Sequence, residues 1–339
     1  MTYRIAINGF GRIGRNYLRV MLGQDLSNAG FQVVAINDLY DAATLAHLLE
    51  YDSTFGRLGT EVGYADDSLC VGWHTIPIFS ERKPDALPWA DLGVDLVIES
   101  TGKLRARDDA ALHLKAGAGR VLISAPGKGV DATLVPGVND DSYDPVKHQI
   151  VSAASCTTNC VAPLAKLLHS AFGIERGYLT TVHAYTNDQN VLDAPHKDAR
   201  RARAAGVNII PTSTGAAKAV GLVLPELAGR LDGVALRVPV VDGSISDLTL
   251  ELGVEVTAQQ INAVVAEASA PGQPMHGIIR YTEAPIVSTD IVGDPASCVF
   301  DATLTQAQGR LVKVFGWYDN EWGYTNRLVD LTKKMAERQ

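Results

Sequence analysis

Two of the chain's four cysteines, Cys156 and Cys160, stand four residues apart in AASCTTNC at 153–160. Such a pair suits three chemistries: a disulfide, a metal site or a reactive thiol. A bridge between them would close a very small loop on a helix, and four cysteines in 339 residues do not make a disulfide framework. A tetrahedral metal site needs three or four ligands, usually from closely spaced pairs, and the sequence offers no second pair. A thiol at the start of a helix remains. The Ser, Thr and Asn of SCTTN suit a helix cap. The helix N-terminus there favours a thiolate, lowering a pKa that is ordinarily about 8.5. Cys156 is therefore the candidate nucleophile, and Cys160, one turn on, reads as a small buried apolar residue. A nucleophilic thiol needs a base, and His183 in TTVHAYTNDQ, on a predicted strand, is the candidate.

A second constellation opens the chain. Gly9, Gly11 and Gly14 form G-x-G-x-x-G between a predicted strand at 3–8 and a predicted helix, GRIGRNYLRVML. Glycines let the backbone turn tightly and approach a pyrophosphate, and the helix N-terminus supplies oriented N–H groups. A second apolar strand, 31–37, ends just before Asp38, where a carboxylate can accept hydrogen bonds from an adenosine ribose. The bland alternative is a glycine-rich turn with a surface Asp, and it leaves the strand–turn–helix–strand context without a purpose. A dinucleotide domain joined to a thiol-bearing half points to oxidation of an aldehyde. The thiolate attacks the carbonyl, His183 takes the proton, hydride passes to a nicotinamide, and water or phosphate resolves the thioester.

The elements that must position these residues fall into two patterns. Through residue 155, short apolar strands alternate with helices: 3–8, 31–37, HTIPIF, 95–100, 120–124 and 149–155, with a helix at AATLAHLLEY. This predicts an α/β, Rossmann-type doubly wound domain over 1–155. After a helix near 157–171, longer strands follow one another directly, with one helix, TAQQINAVVAEASA, among them. This predicts an α+β catalytic domain with a mixed or antiparallel sheet over 156–319. A closing amphipathic helix, about 320–339, packs back on the first domain. Residues 187–209 form a long basic stretch of irregular pattern, a length that is usually functional or disordered.

Composition bounds the rest. The hydrophobic fraction of 46% and charged fraction of 20% are those of an ordinary globular protein with a large core. The net charge of −8 argues against a general nucleic-acid or membrane-surface binder. No apolar run reaches the roughly 18 residues of a membrane span, and the N-terminus lacks the pattern of a signal peptide. A reducing cytoplasm is the expected setting, and no metal is expected.

Five stretches, INGFGRIGR, SAASCTTNC, HAYTNDQ, PTSTGAAKAV and WYDNEWGYTNR, occur in the order found in phosphorylating glyceraldehyde-3-phosphate dehydrogenases, and the chain resembles that family along its whole length. The resemblance implies oxidation of glyceraldehyde 3-phosphate with NAD and inorganic phosphate to 1,3-bisphosphoglycerate. It makes Cys156 the nucleophile and His183 the group that activates it. It places the substrate phosphate on Thr186 and Arg237 with Arg201 nearby, and attacking phosphate on Ser155, Thr157, Thr214 and Gly215. Arginine suits such a site because its charge-assisted bonds to phosphate are bidentate. The cofactor falls to Gly9, Gly11, Arg12, Ile13, Gly14, Asp38, Arg82, Thr101, Ser124 and Asn320, the last as partner of the nicotinamide amide. The 187–209 stretch resembles the family's S-shaped loop near a neighbouring subunit's cofactor, which implies a homotetramer.

Asp38 predicts a preference for NAD, with NADP a weaker alternative, because a 2′-phosphate would repel the acid and remove a donor. RVPVVDGSISDL replaces a more usual RVPTPNVSVVDL and touches no residue given a role above. Three other functions compete. An erythrose-4-phosphate dehydrogenase would share thiol and fold but would usually depart from HAYTNDQ and STGAAKA, both intact here. A non-catalytic dinucleotide-sensing protein would have no need of thiol and base together. A cysteine hydrolase, in turn, would have no use for Asp38 or the glycine turn.

Overall fold

The computed structural model describes residues 2–337. The chain forms two compact units. One comprises the residues through Leu134, then Ser142–Ala154, and the chain from Thr325 on; the other comprises Val135–Asp141 and Ser155–Tyr324.

The first unit carries β1 (Tyr3–Asn8), α1 (Arg12–Gly23), β2 (Phe31–Asn37), α2 (Ala42–Glu50), β3 (Val62–Ala65), β4 (Ser68–Val71), β5 (His74–Phe79), β6 (Leu96–Glu99), α3 (Arg107–Lys115), β7 (Arg120–Ile123), β8 (Ala132–Thr133) and β9 (Ile150–Ser152). The strands make one sheet in the order β3-β4-β5-β2-β1-β6-β7-β9-β8. From β5 to β8 every pairing is parallel, and β3 and β4 form an antiparallel hairpin on one edge. Parallel strands buried on both faces read as continuous apolar runs, which is why β1, β6 and β7 were legible. The chain leaves β1 for β2 on one side and reaches β6 on the other. Order therefore reverses between β1 and β6, the place where an open α/β sheet forms a ligand crevice at its carboxyl edge.

The second unit opens with α4 (Cys156–Phe172) and β10 (Ile174–Ala184), followed by β11 (Ile210–Ser213), α5 (Ala216–Val223), β12 (Leu231–Val238), β13 (Ser244–Leu252), α6 (Ala258–Ser269), β14 (Ile279–Thr282), β15 (Cys298–Asp301), β16 (Gln306–Gln308) and β17 (Leu311–Tyr318). The sheet order is β11-β12-β10-β13-β17-β15-β14, with β16 beside β17. It is mixed: β10 runs parallel to β12 and antiparallel to β13. Every second residue of β13 is buried, the alternation of a strand that buries one face more than the other. Residues 185–204 form no helix or strand. The last helix, α7 (Trp322–Glu337), ends the described chain, so Arg338 and Gln339 of the predicted helix lie outside the described residues.

Several elements escaped the sequence. The β3–β4 hairpin, α3, α5 and the short strands β8, β11, β15 and β16 had no sequence reading. None of these strands exceeds four residues, too few for either periodicity to declare itself. Among the described residues, no helix is long and apolar enough to cross a membrane.

Candidate active site

Local chemistry at the start of α4 fixes the thiol. Ser155 is the cap: its backbone is extended and its Oγ accepts the Thr158 N–H at 3.0 Å. Cys156 is the first helical residue and half-buried, whereas Cys160 is buried one turn deeper. His183 comes from β10, and the parallel register sets it beside Arg237 of β12. Its Nε2 lies 3.4 Å from the Cys156 Sγ. Its Nδ1 lies 2.7 Å from the Ala184 carbonyl. Arg237 Nη1 also lies 3.1 Å from Nδ1 but has the Ala184 carbonyl and the Thr186 hydroxyl as acceptors, so the shorter carbonyl contact takes the Nδ1 hydrogen and leaves the lone pair on Nε2, the tautomer able to accept the thiol proton.

Burial pushes the Cys156 thiol up, against the pull of the Arg237 charge and of the Thr157 amide and hydroxyl. Burial, followed by the Arg237 charge, pulls His183 down to about 3. The depressed thiol expected from the helix N-terminus is thus opposed: each partner taken singly is driven toward its neutral form. Charge arises only in the pair, when the proton crosses the 3.4 Å contact and each new charge offsets the other.

An anion cradle adjoins the imidazole. Arg237 Nη1 donates to the Ala184 carbonyl at 3.1 Å and to the Thr186 hydroxyl at 3.0 Å. Asp188 joins the group, accepting from both Thr186 and Arg201. Arg201 also donates to Thr212 Oγ1 at 3.0 Å. The Arg237 Nε is buried and meets no acceptor among the described residues, a donor left for an incoming anion. Thr186, Arg201 and Arg237 are thereby brought together, and Asp188 is the member that sequence reasoning missed. Its proximity to Thr186 in TNDQ was the available signal.

The residues expected at the second phosphate are less unified. Thr157 turns its hydroxyl to Tyr318 at 2.8 Å, and Tyr318 in turn meets Thr181 at 2.8 Å. Tyr318 is a second missed residue, standing edge-on to His183 with ring centroids 6.0 Å apart. Thr214 accepts the Ala216 N–H at 3.1 Å, and with Gly215 it opens α5, which packs on α4. Asn320, 5% exposed, has its Oδ1 held by the Ser244 hydroxyl at 2.6 Å.

The first unit holds a cleft of about 340 Å³ at the carboxyl ends of β1, β2 and β6. Gly9, Gly11, Asp38, Arg82 and Thr101 line it. Gly9 adopts φ +91°, and a Cβ there would stand 2.7 Å from the Thr101 nitrogen. A Cβ on Gly14 would stand 2.2 Å from the Gly9 carbonyl oxygen, so the helix can start this close to the strand only with glycine. Gly11 has nothing within 4 Å, so a side chain there would project into the space a ligand needs. Asp38 accepts the Phe10 N–H at 2.7 Å and the Tyr40 N–H at 3.2 Å, which orients its carboxylate. A bare backbone turn at a helix N-terminus with an acid beside it fits a dinucleotide. Arg12 is engaged by Asp52 and lies over the Phe55 ring, Ile13 lies within α1, and Ser124 bonds through its backbone N–H to Glu99. Among the described residues, no group of three or more His, Cys, Asp or Glu is placed to hold a metal ion.

Two family models match the chain. Residues 3–107 match the glyceraldehyde 3-phosphate dehydrogenase NAD binding domain, and residues 155–320 match the C-terminal domain of the same enzyme. The chain belongs to the glyceraldehyde 3-phosphate dehydrogenase family. Relatives agree along the full length. A glyceraldehyde-3-phosphate dehydrogenase of Streptomyces coelicolor is 60% identical over 333 residues, 98% of each chain. One of Mycobacterium bovis is 56% identical over 334 residues, again 98% of each. One of Geobacillus stearothermophilus is 54% identical over 339 residues, covering 100% of this chain and 99% of the relative. Members of this family are NAD-dependent, phosphorylating aldehyde oxidoreductases, and the thiol, base and glycine turn fall within the two matched ranges.

Proposed function

We propose that the chain oxidises glyceraldehyde 3-phosphate with NAD and inorganic phosphate to 1,3-bisphosphoglycerate through a thioester on Cys156. The observation that carries this reading is the 3.4 Å contact from the Cys156 Sγ to the Nε2 of His183, with Nδ1 tied to a carbonyl. Thr186, Arg237 and Arg201 hold the substrate phosphate, and the orphaned Nε of Arg237 finds its acceptor there. The thiol proton passes through His183 to the carbonyl oxygen as Sγ attacks the aldehyde carbon, which leaves the imidazole neutral again. The resulting hemithioacetal loses its hydroxyl proton to the same base as the C–H bond breaks, and the carbon becomes a thioester. Bound NAD supplies the hydride acceptor. Ser155, Thr157, Thr214 and Gly215 hold inorganic phosphate, whose oxygen attacks the thioester. The C–S bond breaks, and the thiolate recovers its proton from His183.

On the cofactor side, Gly9, Gly11, Arg12, Ile13 and Gly14 take the pyrophosphate, Asp38 the ribose hydroxyls, Arg82, Thr101 and Ser124 further contacts, and Asn320 the nicotinamide amide. Residues 1–155 with the C-terminal helix act as the cofactor domain and 156–319 as the catalytic domain. The functional unit is a homotetramer in the cytoplasm, and NADP is a weaker alternative cofactor. The test is a turnover assay with glyceraldehyde 3-phosphate or erythrose 4-phosphate, each with NAD or NADP, with and without phosphate. Highest efficiency with the triose phosphate, NAD and phosphate supports the reading. Phosphate-independent turnover of the tetrose overturns it.

A further inference from the structure

Asp242 and Asp319 are each 1% exposed, and they lie within hydrogen-bond reach of one another. Asp319 is an acceptor on both oxygens. Its Oδ1 takes the N–H groups of Glu321 at 2.8 Å and Trp322 at 2.6 Å, and its Oδ2 takes that of Gly293 at 2.8 Å. Asp242 Oδ1 accepts the N–H of Gly243 at 2.8 Å, but its Oδ2 is buried and meets no donor among the described residues. Two adjacent buried carboxylates, one with an orphan oxygen, would be strongly unfavourable. A single proton on Asp242 Oδ2 removes both faults, because the acid then donates to a carboxylate.

What this pair flanks gives it a purpose. Asn320 follows Asp319 directly, and its carboxamide oxygen accepts from Ser244, two residues after Asp242. Gly243 between them is pressed against the 288–291 turn, where a Cβ would stand 2.2 Å from the Ser288 carbonyl. Asn320 is thus held from two sides, directly by Ser244 and through its neighbour by Asp242. We propose that protonated Asp242 is a positioning residue: its hydroxyl donates to Asp319 and holds Asn320 in the orientation that binds the nicotinamide amide. The proposal rests on the reading of Asn320 as a cofactor contact.

The surrounding charges are consistent with a neutral acid. Burial first, then the charge and hydrogen bond of Asp319, then the charge of Glu321, push Asp242 to about 9. The nearby acids of the 287–294 segment are already committed, Asp290 to the Val287 N–H at 2.8 Å and Asp294 to Arg280 at 2.6 Å. The Tyr318 hydroxyl is engaged by Thr157 and Thr181.

The test measures the NAD dissociation constant against pH by quenching of intrinsic fluorescence, in a Cys156→Ala background so that the thiol does not titrate. With Asp242 present, the constant is expected to rise in the alkaline range, by up to about tenfold per pH unit once Asp242 ionises, as the competent fraction falls. Asp242→Asn keeps an N–H donor and should bind NAD with neutral-pH affinity and no alkaline rise. Asp242→Ala should bind more weakly at every pH. A parallel alkaline rise in Asp242→Asn overturns the proposal. Infrared spectroscopy provides a check without substitution at 242: a protonated carboxyl carbonyl band should persist at neutral pH and vanish in strong alkali, and its absence at neutral pH also overturns the proposal. Asn320→Ala separates the two readings. Full NAD affinity in that variant overturns the cofactor role of Asn320, and with it the purpose of the pair. Weakened affinity there, with the parallel rise in Asp242→Asn, overturns the pair alone.

Discussion

The glycine cleft of the first unit and the thiol cluster of the second are built from different material. The cleft is made of backbone: a left-handed Gly9, a Gly14 that lets a helix touch a strand, and a bare Gly11, with the Asp38 carboxylate held by N–H groups. The cluster is made of side chains from α4, β10 and β12 with the loop beyond β10, and every charge in it leans on another. Asp188 ties Arg201 to Thr186, and Arg237 ties Thr186 to the carbonyl that orients His183. A backbone site is sensitive to volume and indifferent to proton position. A side-chain site is the reverse, because moving one proton changes the electrostatics of every neighbour. Substitutions in the two places should therefore fail in different ways.

The largest effect is expected at Cys156. Cys156→Ser should lower aldehyde oxidation by roughly four powers of ten or more, as loss of a nucleophile does, and leave NAD binding nearly intact. A serine alkoxide is too basic to form where a thiol can share its proton with an imidazole. Cys160→Ala, one turn deeper, should retain most activity. Equal loss of hydride transfer in both variants by stopped flow would mean that the nucleophile is misassigned.

His183→Asn comes next, slowing the chemical step by roughly two to four powers of ten. Removing the imidazole also removes the partner that lets the thiol charge form, so alkylation of Cys156 at about pH 6 should slow. Unchanged alkylation would break the pairing. Stability supplies a signed check. His183 is held neutral down to about 3 in the folded chain, whereas the unfolded side chain titrates near about 6.5. Its contribution is therefore present above about pH 6.5 and lost as the pH falls below that value. The Tm of His183→Asn should fall less on acidification than that of the parent chain.

The backbone site is sharpened by two alanines. Gly14→Ala must displace the Gly9 carbonyl and should cost about 1–3 kcal/mol of stability, read as a lower Tm. Gly11→Ala meets no protein atom and should leave Tm unchanged, yet weaken NAD by about tenfold, about 1.4 kcal/mol. If both variants lost the same stability, the distinction between scaffold glycine and ligand-facing glycine would fail. The smallest effect is expected from Asp38→Gly, which should narrow the gap between NAD and NADP, chiefly through the apparent affinity for NADP. An enzyme already as efficient with NADP would refute the role of Asp38.

Legibility in the sequence follows the same division. The glycine turn and the acid of the cleft could be read, since G-x-G-x-x-G and an acid after the second strand are local patterns, whereas Tyr40, Glu81 and Lys103 line it without a local signal. The start of α4 was equally local: Ser155 caps it and Cys156 begins it. The pairing of His183 with Arg237 depends on the register of β10 against β12, which no window of sequence contains. Tyr318 and the Asp242–Asp319 pair have roles that join residues distant in the chain, and Asp188 ties its near neighbour Thr186 to Arg201, thirteen positions on. The thiol pKa was misjudged for that reason too. The helix N-terminus is visible locally, whereas the burial that opposes it comes from the whole unit. Among the elements, α3 has no side-chain cap and β15 is four buried residues, CVFD, with no alternation to read.

The central claim is that Cys156 carries a thioester which phosphate resolves, and a burst experiment tests it most directly. Enzyme is mixed with glyceraldehyde 3-phosphate and NAD in buffer free of phosphate and arsenate, and NADH is followed from the first milliseconds. The account predicts one NADH per Cys156 followed by near-arrest, with multiple turnover restored on adding inorganic phosphate. Continued turnover at close to the full rate without phosphate would contradict it.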